Sequence, residues 1–320
     1  MNITIRELRT DEFTKAHQLW NRCRPSDPIT ARVFKRKVIL DVNFDRKGYL
    51  IAEDNGELLG YIYVIVRKAP LDNDGDLSCE AADVNGFGTL PGLEKEIGPA
   101  LIRAGEEYAK QRGIKKLSVS PYKPYYFTQG FDTEREPHYV NLFVNCGYRI
   151  LKESYARDID LLNYRVPDEL KEKRKTAESN GYYIGALTDD LLIPFWEYMN
   201  DYSVAAFRVR IRQLMRDNDD YGRIRVVAYN GEVIGFNVFG DPDGSPERFG
   251  PFGIRSEFRG MKLGQLLLAD CLYEMKCRGL HNAWMQSTGK GSAADRVYEK
   301  AGFRITRTHV VMEKDITAEV

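Results

Sequence analysis

The 320-residue chain carries one set of local signals twice, in the same order, and that duplication limits the folds open to it. Thr10-Asp11-Glu12-Phe13 and Thr188-Asp189-Asp190-Leu191 each read as a helix N-cap followed by acidic first-turn residues. Asn55-Gly56 and Asn230-Gly231 each sit between alternating apolar flanks, and Asn-Gly supplies the two positive φ angles of a type I′ hairpin turn. Gly98 and Gly264 each open a long helical pattern that stops at Arg112-Gly113 or Arg278-Gly279, and Cys146-Gly147-Tyr148 matches Ala301-Gly302-Phe303. Each module therefore predicts β, α, hairpin, strand, helix, strand, helix, strand. The fold class is α/β with a mixed α+β sheet: two tandem domains, each a mixed, mostly antiparallel sheet flanked by helices. The expected divisions are an N-terminal domain over 1–162, a linker helix over 163–180 and a C-terminal domain over 181–320. The run Pro167 to Lys175 fits a solvated linker face better than a phosphate contact.

Composition narrows the partners. Lys plus Arg equals Asp plus Glu at 47 each, so the overall field gives no reason to expect nucleic acid or an anionic membrane. The longest apolar run, Leu58 to Val66, is too short to span a bilayer, and no export signal is read at the start. Five cysteines without Cys-x-x-Cys pairing fit reduced thiols in a cytoplasmic protein rather than disulfides or a metal site. The expected partner is small, with a monomer or a homodimer left open.

The strongest chemical signal is Phe258-Arg259-Gly260-Met261-Lys262-Leu263-Gly264-Gln265, a basic glycine turn opening a helix whose apolar stripe is Leu263, Leu266, Leu267 and Cys271. A helix N-terminus with free N–H groups and a glycine permitting close approach is an anion site, and a cofactor pyrophosphate is the expected anion. Downstream, Ser292-Ala293-Ala294-Asp295 is a capping pattern, and Ala294, Val297, Tyr298 and Ala301 recur at helical spacing.

Together with the strand Arg248 to Ile254, the loop Arg259 to Gly264 and the ending Tyr298-Glu299-Lys300-Ala301-Gly302-Phe303 resemble the GNAT superfamily of N-acetyltransferases, in a tandem form like that of mycothiol synthases. The resemblance implies acetyl-CoA as co-substrate, without metal, and a primary amine on a small molecule or peptide as acceptor. It implies that Arg259, Gly260, Met261, Lys262, Leu263, Gly264 and Gln265 hold the pyrophosphate, and that Phe252, Gly253 and Ile254 pair with the pantetheine arm. Lys262 departs from the family pattern, standing where a glycine is expected.

In this reading Tyr298 protonates the departing thiolate, since a phenol of pKa about 10 keeps its proton at neutral pH. The alternative for Tyr298 is packing within its helix stripe. Glu247 is the carboxylate expected to deprotonate the amine, with His309 behind it; a surface and a structural role are their alternatives.

The first module reads as a degenerate copy. Glu94 and Glu96 stand in its loop, where carboxylates repel a pyrophosphate, and Phe143, aligned with Tyr298, has no proton to give. Tyr122, Tyr125, Tyr126 and Phe127 either line an acceptor channel or seal an interface. A noncatalytic acyl-CoA-binding or scaffold protein is the competing class.

Overall fold

The computed structural model describes residues 2–68, 81–122, 127–202, 205–217, 220–241 and 245–317. The strands, in chain order, are β1 Thr4–Glu7, β2 Tyr49–Asp54, β3 Glu57–Val66, β4 Ala81–Thr89, β5 Lys116–Val119, β6 Phe131–Asp132 and β7 Arg149–Asp160. They continue as β8 Tyr182–Ala186, β9 Ile224–Tyr229, β10 Glu232–Asp241, β11 Ser245–Ile254, β12 Asn282–Thr288 and β13 Arg304–Asp315. The expected mixed sheets flanked by helices are present, and no helix among the described residues is long and apolar enough to cross a membrane.

Both hairpins form as the Asn-Gly pairs require: Asn55 and Gly56 have φ of 49° and 87°, Asn230 and Gly231 of 51° and 82°. β2 pairs β3 and β9 pairs β10, both antiparallel. The first-helix expectation needs correction. Thr10 does not cap; the helix Phe13–Cys23 starts after Glu12, whose buried carboxylate instead accepts two bonds from the Arg6 guanidinium, at 2.7 and 2.8 Å. Thr188 precedes a short 3-10 turn over Asp189–Leu191 and makes no side-chain cap either.

The compact units do not follow the sequence order of the repeats. One comprises Met1–Ser154 with Arg307–Val320, and the other Tyr155–Thr306. In the first unit the strand order is β1-β2-β3-β4-β5-β13, so the last strand of the chain lies beside β5, with Met312 opposite Val119. In the second the order is β7-β12-β11-β10-β9-β8, so the end of β7, from the first repeat, lies beside β12, with Arg157 opposite Met285. Each unit thus completes its sheet with a strand encoded in the other repeat. The chain divides at 154/155 and 306/307 rather than near 162 and 180. The helix Asp168–Ser179, expected as a linker, lies inside the second unit, where Arg174 bonds Asp270 at 2.7 Å.

Alternation along the central strands explains why these segments are so apolar. In β3, Tyr61, Tyr63 and Ile65 join a core with Trp20 and Leu19 of the first helix, while Ile62 and Val64 join another with Leu101 and Ile102 of the helix Glu94–Lys110. A strand buried on both faces reads as one hydrophobic run. β10 does the same in the second unit. Phe236 and Val238 pack with Phe195 and Met199 of the helix Leu192–Tyr202, and Ile234 and Phe239 face the helix Leu263–Cys277.

Candidate cofactor site in the second unit

β11 and β12 run parallel and pair at Arg248 opposite Trp284. β11 also bulges against β10 between Phe249 and Phe252, so that Gly250 and Pro251 interrupt the ladder. Proline cannot donate to a ladder, and a bulge bends the strand that carries it. The segment after the bend, Phe252, Gly253 and Ile254, forms one side of a cavity of about 500 Å³.

The basic turn forms another side. Phe258, Arg259, Gly260, Lys262, Leu263 and Gly264 reach the cavity, as does Gln265. Met261 does not line it, and its side chain is 52% exposed. Gly260 and Lys262 both have positive φ, 84° and 63°, on either side of Met261. Alternation of this kind curls the chain so that successive N–H groups point into one concavity. Among the described residues the N–H groups of Gly260 through Gly264 have no protein acceptor, and no side chain caps the helix Leu263–Cys277. The first protein-bonded amides are Gln265 and Leu266, both to the carbonyl of Lys262. Lysine in a left-handed conformation costs on the order of 1 kcal/mol against glycine. Its ammonium lies 3.4 Å from Glu169, an exposed pair that is weak enough to exchange for a stronger anion.

A third side comes from the helix Ala293–Ala301, through Ser292, Ala293, Ala294, Arg296, Val297 and Lys300. Ser292 caps it as expected, accepting from the Asp295 N–H at 3.1 Å. Asp295 is held in turn by Arg157 from β7 at 2.6 Å, with both side chains 2% exposed. A buried ion pair of this kind fixes geometry strongly, because either partner left alone is a costly buried charge. Here the exchanged strand fastens the helix that carries Tyr298.

Tyr298 itself is 7% exposed and stands among Phe249, Phe252 and Phe303 at ring distances of 5.7 to 5.9 Å. Phe252 lines the cavity, so the tyrosine ring lies directly behind that wall. Burial, and then the charge of Asp295, raise its pKa well above the usual phenol value, which holds the proton in place. Tyr298 is not among the residues that line the cavity, and its ring packs in the core stripe with Phe249 and Phe303, as the packing alternative expects.

The two base candidates are not brought to the cavity. Glu247 lies half-buried on β11, before the bulge, and is not among the lining residues. His309 belongs to the first unit through β13, where it is opposite Asp132. Burial lowers its pKa to about 4, so the folded protein holds it neutral where an unfolded chain, with a pKa near 6.5, takes up a proton. Stability from this site is therefore complete above about pH 6.5 and declines by about 3 kcal/mol as pH falls to about 4. Thermal melts across that interval are expected to fall less steeply in His309→Gln than in the wild type; parallel curves would refute the assignment.

Sequence reasoning missed Arg296, Lys300 and the small residues Ala294 and Val297, although the helical period that singled out Tyr298 already placed them on that helix. It also missed Tyr198, for which no spacing signal exists. A Cβ built on Gly253 would lie 3.2 Å from the Tyr198 hydroxyl, so this phenol flanks the same short stretch of β11. Burial pushes its pKa up to about 12.

The matching region of the first unit is filled. The helix Pro137–Asn145 aligns with Ala293–Ala301 through the shared Gly147 and Gly302, which sets Tyr139 against Ala294 and Leu142 against Val297. The Tyr139 hydroxyl accepts the Thr89 N–H at 3.0 Å, at the end of β4 that corresponds to Ile254. A Cβ on Gly98 would come within 2.5 Å of Leu142, whereas at Gly264 the nearest atom is Phe252 at 3.3 Å. Two of the turn amides are also taken: Gly92 N–H by the Glu94 carboxylate at 3.1 Å and Leu93 N–H by the Leu90 carbonyl. Phe143 is fully buried, and Tyr122 bonds Asn43 and Asp41 within this unit; Tyr125 and Tyr126 lie outside the described residues.

Comparison with known proteins agrees with this geometry. Residues 172–303 match the profile of the Acetyltransferase (GNAT) family, and no curated protein matches the sequence. Among solved structures, the chain is similar to a GCN5-related glucosamine N-acetyltransferase region of a fungal multi-domain GH3 β-N-acetylglucosaminidase, at 14% identity and TM-score 0.77 over 98% of this chain. This chain spans 38% of that protein's length. A GCN5-related N-acetyltransferase from Sphaerobacter thermophilus matches at 14% identity and TM-score 0.72, covering 99% of this chain and 97% of its own. A tandem GNAT protein from the clavulanic acid biosynthesis pathway matches at 15% identity and TM-score 0.67 over 100% of both chains. Residues 172–303, within the second unit, thus match the acetyltransferase (GNAT) family profile, and the whole chain shares its fold with a tandem GNAT protein.

Proposed function

We propose that the second unit binds acetyl-CoA in this cavity and transfers its acetyl group to a primary amine, and that the first unit binds no coenzyme A. The observation that carries the reading is that, among the described residues, the N–H groups of Gly260 to Gly264 have no protein acceptor, on a turn bordering a cavity whose lining includes Arg259, Lys262, Arg296 and Lys300 and no carboxylate. The fixed amides, with Arg259 and Lys262 on the same turn, suit a diphosphate. The edge of Phe252, Gly253 and Ile254 beyond the bulge is left to receive an extended amide chain as an added strand. Acetyl-CoA, when bound, supplies the activated thioester.

The chain's own residues then position and protonate. The neutral amine nitrogen bonds to the acetyl carbon, the carbon–sulfur bond breaks, Tyr298 gives its proton to the departing sulfur, and the proton shed by the nitrogen passes to solvent, from which the Tyr298 phenolate is reprotonated. Because its pKa is raised, that proton is available throughout the neutral range and is lost only well above pH 10. No step is assigned to Glu247 or His309.

Calorimetric titration with acetyl-CoA is expected to give one site per chain. Tyr298→Phe is expected to keep that affinity within threefold and to lower turnover by about 10² to 10⁴, the usual scale of general acid catalysis. Turnover can be followed as coenzyme A release across a panel of amines. Amino sugars are the first acceptors to try, since one structural neighbour is described as a glucosamine N-acetyltransferase region. Two equal sites per chain, or no release by the wild type with any amine, would count against the enzymatic reading; binding without release would leave a coenzyme A-binding protein.

A further inference from the structure

The coenzyme A reading leaves two of the cavity's four cations without a task. Arg259 and Lys262 belong to the turn and serve the diphosphate there. Arg296 and Lys300 stand one helical turn apart on Ala293–Ala301, so they share a face, and both reach the cavity wall. Like charges at this spacing repel by a few tenths of a kcal/mol unless an anion lies between them. Arg296 donates to the Gly291 carbonyl at 2.8 Å, and among the described residues neither side chain has a carboxylate partner. The first repeat acts as an internal control. Its aligned positions are Asn141 and Asn145, both neutral, in the unit whose corresponding space is filled by Tyr139 and Leu142. The two positive charges accompany the open cavity and are absent from the closed one.

We propose that Arg296 and Lys300 form a second phosphate subsite, which takes the 3′-phosphate of coenzyme A and makes the protein discriminate against dephospho-coenzyme A. Coenzyme A carries its negative charge in two places, the diphosphate bridge and the ribose 3′-phosphate. The turn amides account for the first. A phosphate monoester is close to doubly charged at neutral pH and accepts charge-assisted bonds from both guanidinium and ammonium groups. This inference rests on the coenzyme A reading above.

The test is isothermal titration of the full-length protein with coenzyme A and with dephospho-coenzyme A at fixed salt. The wild type is expected to bind the dephospho form about tenfold more weakly. The double variant Arg296→Ala/Lys300→Ala is expected to lower coenzyme A affinity to that of the dephospho form, with dephospho-coenzyme A affinity changed by less than twofold. The slope of log affinity against log salt is expected to decrease for coenzyme A alone. Equal affinity of the wild type for both ligands, or an equal loss for both in the variant, overturns the subsite while leaving the coenzyme A reading standing. If neither ligand binds the wild type, the underlying reading fails and the subsite falls with it.

Discussion

A chain ending at Thr306 is expected to keep a folded second unit and to lose the first. The missing segment contains β13 from Arg307 onward, which pairs with β5 at Met312 opposite Val119 and Lys314 opposite Leu117, and with β6 at Val310 opposite Phe131. It also removes Val310, Met312 and Ile316, which are 3%, 0% and 1% exposed, from the first unit's core. Full burial of three such side chains is worth about 1.5 to 3 kcal/mol each, and the ladder hydrogen bonds add about 0.5 to 1.5 kcal/mol apiece. That sum is comparable with the entire stability of an ordinary domain, about 5 to 15 kcal/mol. The second unit, Tyr155–Thr306, retains every strand assigned to it. Hydrogen exchange read by mass spectrometry should therefore show lost protection over Tyr49–Val66 and retained protection over Ile224–Ile254, with coenzyme A binding preserved. Unchanged protection in β2 and β3 would show that the exchanged strand is dispensable.

Filling the cavity in the second unit as the first unit fills its own is expected to abolish cofactor binding. Ala294→Tyr places in the open site the residue that stands at the aligned position, Tyr139, in the closed one. In the first unit that hydroxyl takes the Thr89 N–H, at the strand end matching Ile254, so the same phenol in the second unit would compete for the edge expected to hold the pantetheine arm. Ala294 is half-buried on the cavity wall, so the larger side chain can extend into open space rather than into the core. Loss of acetyl-CoA affinity by more than 100-fold is expected, with a melting temperature within a few degrees of the wild type. A variant that still binds within tenfold would mean the cofactor does not pass beside Ala294. A variant that fails to fold can be replaced by Ala294→Leu, which fills less of the same space.

Much of the site was open to reading from the residues alone, because its signals are local. The Asn-Gly pairs dictate positive φ wherever they fall. Ser292 caps its own helix through a bond three residues away, and the spacing of Leu263, Leu266, Leu267 and Cys271 identifies the buried stripe whatever lies opposite. The turn Arg259 to Gly264 was equally legible as a glycine turn opening a helix, whereas the left-handed conformation of Lys262 came from the structure. The base candidates, neither of which lines the cavity, are of a different kind. A carboxylate or imidazole becomes a base through its neighbours, and neither Glu247 nor His309 carries in its sequence context the identity of the element beside it.

The sequence by itself thus determined the two repeats, their element order and the basic glycine turn, since each follows from periodicity, turn chemistry or composition within a short window. Only the tertiary structure decided which strand completes which sheet and which of the two repeats is open. Alternating apolar residues specify that a strand has buried faces but not the identity of its hydrogen-bonding neighbour, so the exchange of β7 and β13 leaves no local trace. Likewise Tyr139 and Leu142 read as ordinary helix-stripe residues until the fold sets them against Thr89 and Gly98, where side-chain volume decides whether the space beside the turn is open or filled.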